Sequence, residues 1–335
     1  MRPMHTFGLA LGLLLGSLLP AVAQNACPAG TLGVSRTVEI DTSTGPKFGF
    51  QYNEHSFLAD GEVVLTFDDG PLRAYTKPVL EALAAQCTKA TFFVVGRMAV
   101  ADPEMVKEYA RRGHTVGTHT WSHANLSTLT PLKARAEIEL GFSAVQQAMG
   151  KPIAPFFRFP YLAYSGSMAM HLQNRQVATF SIDVDSKDFR TRDPVTVHRR
   201  IMADLVRTRK GILLFHDIQP STARALSGLL AELKAKGYRV VHMQPKAPVA
   251  TVAEFDALAQ KEFDRRLVTA GGPLLKRAMA WSSADLPTQP ISTEEAGTVQ
   301  GQVTGVTKPA AVTTPRPLPR GVAGEDWKAG LWHSY

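Results

Sequence analysis

Asp68 and Asp69 end a short apolar run, Val63-Val64-Leu65-Thr66-Phe67, whose length and β-branched residues predict a buried strand. Two adjacent carboxylates at the mouth of such a strand are costly unless something pairs with them. A metal would pair with one, and a shifted pKa could make the other a base. His119 and His123 stand four apart in His119-Thr120-Trp121-Ser122-His123. At that spacing two imidazoles can point the same way from one helical turn or a tight loop, as zinc ligands often do. One carboxylate and two imidazoles, Asp69 with His119 and His123, form a three-ligand set with open positions. Catalytic metal sites are built this way, and structural ones are closed. A metal so held polarises a carbonyl and brings the pKa of its water to roughly 7.

Three further groups could take part. Arg158, in Arg158-Phe159-Pro160-Tyr161, can form a two-pronged bond to a carboxylate and hold it ionised. Asp185-Ser186-Lys187-Asp188-Phe189 offers two more acids. His216, before Asp217, could give a proton to a leaving amine, with an aspartate nearby to keep it charged. His114 reads as a surface histidine.

These groups need a frame. Strands are expected at 63–67, 90–95, 114–118, 155–159, 178–184, 212–215 and 238–242. Helices are expected between them. One starts at Pro78 and runs to Ala85, one is capped by Asp102-Pro103 and closed by Gly113, and one runs from Thr130-Pro131 to Gly150. The next are a short helix at 167–174, one from Asp193-Pro194 stopped by Gly211, and one at 221–236. Thr251 and Glu254 resemble a capping box for a last helix to about Leu267. Seven alternations of apolar strand and helix mean a parallel sheet covered by helices, either an open sheet or a closed barrel. In parallel α/β barrels the chemistry sits at the C-terminal ends of the strands, where each group above falls.

The ends of the chain are of another kind. Arg2, the apolar run from Phe7 to Leu19 and Ala21-Val22-Ala23 make a cleavable secretory signal over 1–23. Export to the periplasm or beyond follows, with no stable membrane insertion after cleavage. In an oxidising compartment Cys27 and Cys87, the only cysteines, can pair and tie an N-terminal arm (24–60) to the end of the first helix. Residues 246–280 read as a helical extension. Residues 281–335, rich in Pro and Thr, read as a disordered tail. The net charge of +8 becomes +7 when Arg2 leaves with the signal, which suits an acidic envelope polymer. No dense basic run interleaved with aromatics points to nucleic acid.

Taken in order, the strand-end groups resemble the motifs of the NodB-homology polysaccharide deacetylases, carbohydrate esterase family four, over roughly Gly61 to Met243. The motifs are Thr66-Phe67-Asp68-Asp69-Gly70, His119 to His123, Arg158 to Tyr161, Asp185 to Phe189, and Leu214-Phe215-His216. The resemblance implies a distorted (β/α)7 barrel and a divalent metal, zinc or cobalt, held by Asp69, His119 and His123. It implies Asp68 as the general base, Arg158 as the residue that orients it, and His216 as the acid. Asp188, rather than Asp185, tunes His216, and the Tyr161 backbone N–H helps to hold the oxyanion. The third motif departs from the pattern, with Leu162-Ala163 where a glycine usually follows the aromatic residue. The fourth ends in Phe189 instead of tryptophan.

The expected reaction is removal of N-acetyl groups from N-acetylhexosamine polymers, of the chitin or peptidoglycan type. The alternatives are an O-acetyl xylan esterase and a non-catalytic envelope glycan-binding protein. The intact Asp68, His119, His123 and His216 speak against the last of these.

Overall fold

The computed structural model describes residues 27–52 and 56–269. The signal expected at 1–23 and the tail expected at 281–335 lie outside the described residues. In chain order the elements are β1 (Arg36–Ile40), β2 (Lys47–Phe48), β3 (Glu62–Asp69), α1 (Arg73–Ala85), β4 (Thr91–Val94), α2 (Gly96–Ala101), α3 (Pro103–Arg111), β5 (Thr115–Thr118) and α4 (Pro131–Met149). Then follow β6 (Phe156–Phe157), α5 (Gly166–Asn174), β7 (Ala178–Phe180), β8 (Val184–Asp185), α6 (Pro194–Thr208), β9 (Gly211–His216), α7 (Pro220–Ala235), β10 (Arg239–Pro245) and α8 (Ala253–Thr269). One compact unit runs to Asp264. A second begins at Arg265, of which the described residues form the end of α8.

Every residue of β3 is buried, as an apolar run covered on both faces requires. Its side chains alternate between two cores. Val63, Leu65 and Phe67 join the large cluster that packs against the helices, whereas Val64 joins the inner cluster with Phe93, Phe156 and Ile212. Thr66 and Asp68, in step with Val64, face inward too, and one nitrogen of Arg158 reaches both. All strand pairs are parallel. β3 lies between β9 and β4, and its register sets Asp68 beside His216 on β9 and Asp69 beside Val94 on β4.

The result is the expected distorted (β/α)7 barrel, but hydrogen bonds do not close it. The strand expected at 178–184 is two. β7 pairs with β6, β8 pairs with β9, and the chain steps from one side of the gap to the other between them. The N-terminal segment supplies strands that its mixed sequence did not announce. β1 lies along β10, and β2 extends the sheet beyond β7. Both pairings join residues far apart in sequence, so no local period reveals them.

Local signals fared well where they were chemical. Asp102 caps α3 by accepting the Met105 N–H, and Gly150 ends α4 with φ 72°. Three expectations need correction. α1 begins at Arg73, and Pro78 lies inside it, because Leu72 O receives the N–H groups of Tyr75 and Thr76 and builds a turn upstream of the proline. α6 ends at Thr208 with Arg209 as its cap in the left-handed region, and Gly211 is the first residue of β9. The Thr251 hydroxyl donates to Asp256 instead of forming a capping box with Glu254. Cys27 and Cys87 are bridged, with Cα atoms 5.8 Å apart, within the usual span of a disulfide.

Candidate metal and active centre

The strand ends gather the expected ligands. Asp69, His119 and His123 each offer an atom within 4.8 Å of the others, and all three residues are buried. His123 Nε2 lies 3.3 Å and His119 Nε2 3.7 Å from Asp69 Oδ1. Among the described residues neither oxygen of the Asp69 carboxylate accepts a hydrogen bond. A buried carboxylate without donors is expensive, and a cation removes the expense. His119 supplies a second sign. Its Nδ1 is 2.7 Å from the carbonyl of Arg158, which can only accept, so Nδ1 carries the hydrogen and Nε2 keeps its lone pair toward Asp69. Burial lowers the pKa of both histidines, and the His123 ring adds to the effect on His119, which keeps them neutral as ligands. These residues fit a divalent ion.

The loop that carries the histidines is held from α4. The Glu137 carboxylate accepts from the Ser122 N–H at 2.9 Å and from its hydroxyl at 2.7 Å, and the Glu137 carbonyl accepts from the Trp121 N–H. Gly141, one turn on, lets the loop approach closely, since a Cβ there would stand 2.7 Å from the Thr120 carbonyl carbon. Glu137 was missed in the sequence. Its signal is an acidic side chain in a helix that buries its residues on nearly every side, next to Ile138. Backbone strain concentrates here as well. Asp69, Thr120, His123, Tyr161 and Leu162 have φ from 54° to 77°, a region that side chains other than glycine rarely take.

Arg158 is wholly buried, its guanidinium 4.3 Å above the Phe93 ring. Nη1 donates to Asp68 Oδ1 at 2.6 Å and to the Thr66 hydroxyl, while Nη2 donates to the Ser181 carbonyl at 3.1 Å. The contact with Asp68 is therefore one-pronged, not the two-pronged bond expected, because Ser181 takes the second nitrogen. Burial pushes the Asp68 carboxyl up to about 6, and the charges of Arg158 and His216 pull against that rise.

His216 stands on the far side of Asp69, its Nε2 4.0 Å from Asp69 Oδ2. Burial by itself would lower its pKa. The Asp188 carboxylate, 2.7 Å from Nδ1, outweighs burial and pushes the imidazole up to about 10. Asp188 also accepts from the His216 backbone N–H and the Thr222 hydroxyl, and its own pKa is lowered despite burial. Of the two acids weighed in this loop, Asp188 is thus the one that meets His216. Asp185 receives the Lys187 N–H. Asp217 also faces elsewhere, accepting from Tyr109 and Thr76. The Tyr161 ring lies 4.6 Å from that of His123, and Phe189 stands edge-on to His216 at 5.6 Å.

His114 is not a surface residue. It is 8% exposed, and its Nδ1 accepts the Ala90 N–H. It lies just before β5, edge-on to the Phe92 ring at 5.3 Å, at the end of that strand away from His119.

Residues 58–179 match the family described as polysaccharide deacetylase. Over 179 residues the chain is 33% identical to a peptidoglycan-N-acetylglucosamine deacetylase of Listeria monocytogenes, covering 53% of this chain and 37% of that protein. It thus spans little more than a third of that relative's length. A chitin deacetylase of Colletotrichum lindemuthianum is 31% identical over 195 residues, 54% of this chain and 77% of its own length. Among solved structures, a peptidoglycan deacetylase of Bdellovibrio bacteriovorus superposes with a TM-score of 0.59 at 34% identity, covering 66% of this chain and 62% of that one.

Proposed function

The chain belongs to the polysaccharide deacetylase family, and from that premise we propose that it is an exported, metal-dependent hydrolase that removes N-acetyl groups from N-acetylhexosamine polymers, of the chitin or peptidoglycan type. The observation that carries this is the grouping of Asp69, His119 and His123 around donor-free carboxylate oxygens, with Asp68 beside it and His216 across from it.

A divalent ion held by Asp69, His119 and His123, zinc or cobalt, would supply Lewis acidity toward the acetamido carbonyl and acidify water. The remaining work falls to the chain. Asp68 takes the proton of the attacking water, and Arg158 fixes the direction in which its free oxygen points. The Tyr161 backbone N–H donates to the carbonyl oxygen as it gains charge. His216, kept protonated by Asp188, gives its proton to the sugar nitrogen as the carbon–nitrogen bond breaks. An amide demands all of these, because an amine leaves poorly unless it is protonated.

The test is acetate release by the mature chain on chitin oligomers, peptidoglycan and acetylated xylan, with and without chelator. Chelator-sensitive release from an N-acetylated polymer is expected. Release from xylan alone would make the protein an O-acetyl esterase. No release from any substrate by metal-loaded protein would overturn the enzymatic proposal.

A further inference from the structure

The strained loop that carries Tyr161 has an unusual anchor. Tyr161 and Leu162 are consecutive residues in the left-handed region, with φ 58° and 54°. For residues with a Cβ that conformation is unfavourable and persists only where the surroundings hold it. Within the turn the Leu162 N–H donates to the Phe159 carbonyl at 3.1 Å and the Ala163 N–H to the Pro160 carbonyl at 3.0 Å, and a contact from outside it comes from the N-terminal segment. Gln51 Nε2 donates to the Leu162 carbonyl at 3.1 Å, and its Oε1 accepts from the Ser181 hydroxyl at 2.7 Å. Ser181 is the residue whose carbonyl receives Nη2 of Arg158. Gln51 itself is fixed by the residues before it. The Ser181 N–H donates to the Phe48 carbonyl and the Phe50 N–H to the Ile182 carbonyl, extending the β2–β7 pairing. Next to it the Tyr52 and Tyr164 rings meet at 5.7 Å.

We propose that Gln51 is a positioning residue for the deacetylation assigned above: it clamps Leu162 in its strained conformation, and so aims the Tyr161 N–H, while tying that loop to the strand end that seats Arg158. The N-terminal segment is then a working part of the active centre. Each half of the Gln51 amide has its own task, the NH2 toward Leu162 and the oxygen toward Ser181. The clamp is needed because Leu162 has a Cβ. A glycine there would take the same φ without strain. Gln51 and Leu162 are therefore coupled, and the coupling has a sign.

Two readouts test this. Hydrogen exchange of the 161–164 amides in the full mature chain reports the clamp whether or not the protein proves to be a deacetylase. Gln51→Ala should speed exchange there by roughly two- to tenfold, the worth of one hydrogen bond, and leave the barrel strands unchanged. Gln51→Glu keeps the length and the acceptor for Ser181, sets oxygen against the Leu162 carbonyl, and should do the same or more. Acetate release is the second readout. Gln51→Ala should lower kcat by a similar factor with little change in KM. In a Leu162→Gly background the same substitution should cost markedly less. Unaltered exchange at 161–164 in Gln51→Ala would overturn the clamp, as would an equal loss of kcat in the wild-type and Leu162→Gly backgrounds. No acetate release by the wild type, together with the exchange effect in Gln51→Ala, would overturn the enzymatic reading and keep the clamp.

Discussion

The two ends of the barrel both bury histidines; at one of them His216 is pushed up, whereas His114 and His242 at the other are lowered. At the C-terminal ends of the strands, carboxylates surround the histidines. His123 faces Asp69, and His216 lies between Asp188 and Asp69. Away from those ends, His114, just before β5, and His242, inside β10 and against the first residue of β5, are held by neutral groups. His114 accepts from the Ala90 N–H, and His242 Nε2 meets the Thr115 hydroxyl at 3.0 Å. Burial lowers both, the Lys89 charge adds to it, and they stand at about 3 and about 4. Burial penalises a charged imidazole at either end. What differs is the charge that meets it: at His216 the Asp188 carboxylate outweighs burial and raises the imidazole, whereas at His114 and His242 the Lys89 charge adds to burial, as the His123 ring does at His119.

Substitutions at the two ends should separate these roles. His119→Ala should lose the metal and with it essentially all acetate release, whereas His242→Gln should keep both; elemental analysis beside the acetate assay reads the contrast. Equal metal loss in the two variants would erase the distinction between the ends. Within the active end, Asp68→Asn should keep the metal and lose turnover by about 10²–10⁴-fold, the usual worth of a general base. Near-normal turnover in that variant would remove Asp68 from the reaction. Asp188→Asn should cost less, roughly ten- to a hundredfold, since it weakens the support of the acid without deleting it.

The smallest effect belongs to the far end and is one of stability. The folded pKa of His242 lies below the ordinary value of about 6.5. Between about 6.5 and about 4 the unfolded chain therefore binds a proton that the folded chain refuses. The contribution of this histidine is present above pH 6.5 and is lost as pH falls through that window, by on the order of 1–3 kcal/mol. Thermal midpoints from pH 7 to pH 4 should fall less steeply in His242→Gln than in the wild type. Identical slopes would mean that His242 does not titrate on unfolding.

A matched pair of acids carries the same lesson. Asp68 and Asp188 are both buried against a cation. Asp188 gathers three donors and its carboxyl is lowered, whereas Asp68 receives one nitrogen of a shared guanidinium and is raised. Burial raises both; at Asp188 the His216 charge and the donors outweigh it, whereas at Asp68 the neighbouring Asp69 charge adds to it.

Much of the active end was legible in the sequence. Asp68, Asp69, His119, Arg158 and His216 each end or directly follow a short apolar strand, so local order alone brought them to one edge. Supporting residues were not legible. Glu137 looks like an ordinary helix glutamate until α4 is packed, and Gln51 looks like part of a connecting arm until β2 is laid along β7.

By itself the sequence determined the alternation of strands and helices, the end of the barrel at which chemistry gathers, and the residue types available there. These rest on periodicity and on turn chemistry, which act between neighbours in the chain. The tertiary structure decided which aspartate serves His216, that Arg158 spends its second nitrogen on Ser181, that the barrel stays open between β7 and β8, and that His114 is buried. Those outcomes depend on desolvation and hydrogen-bond partners supplied by segments remote in sequence, and no local pattern encodes them.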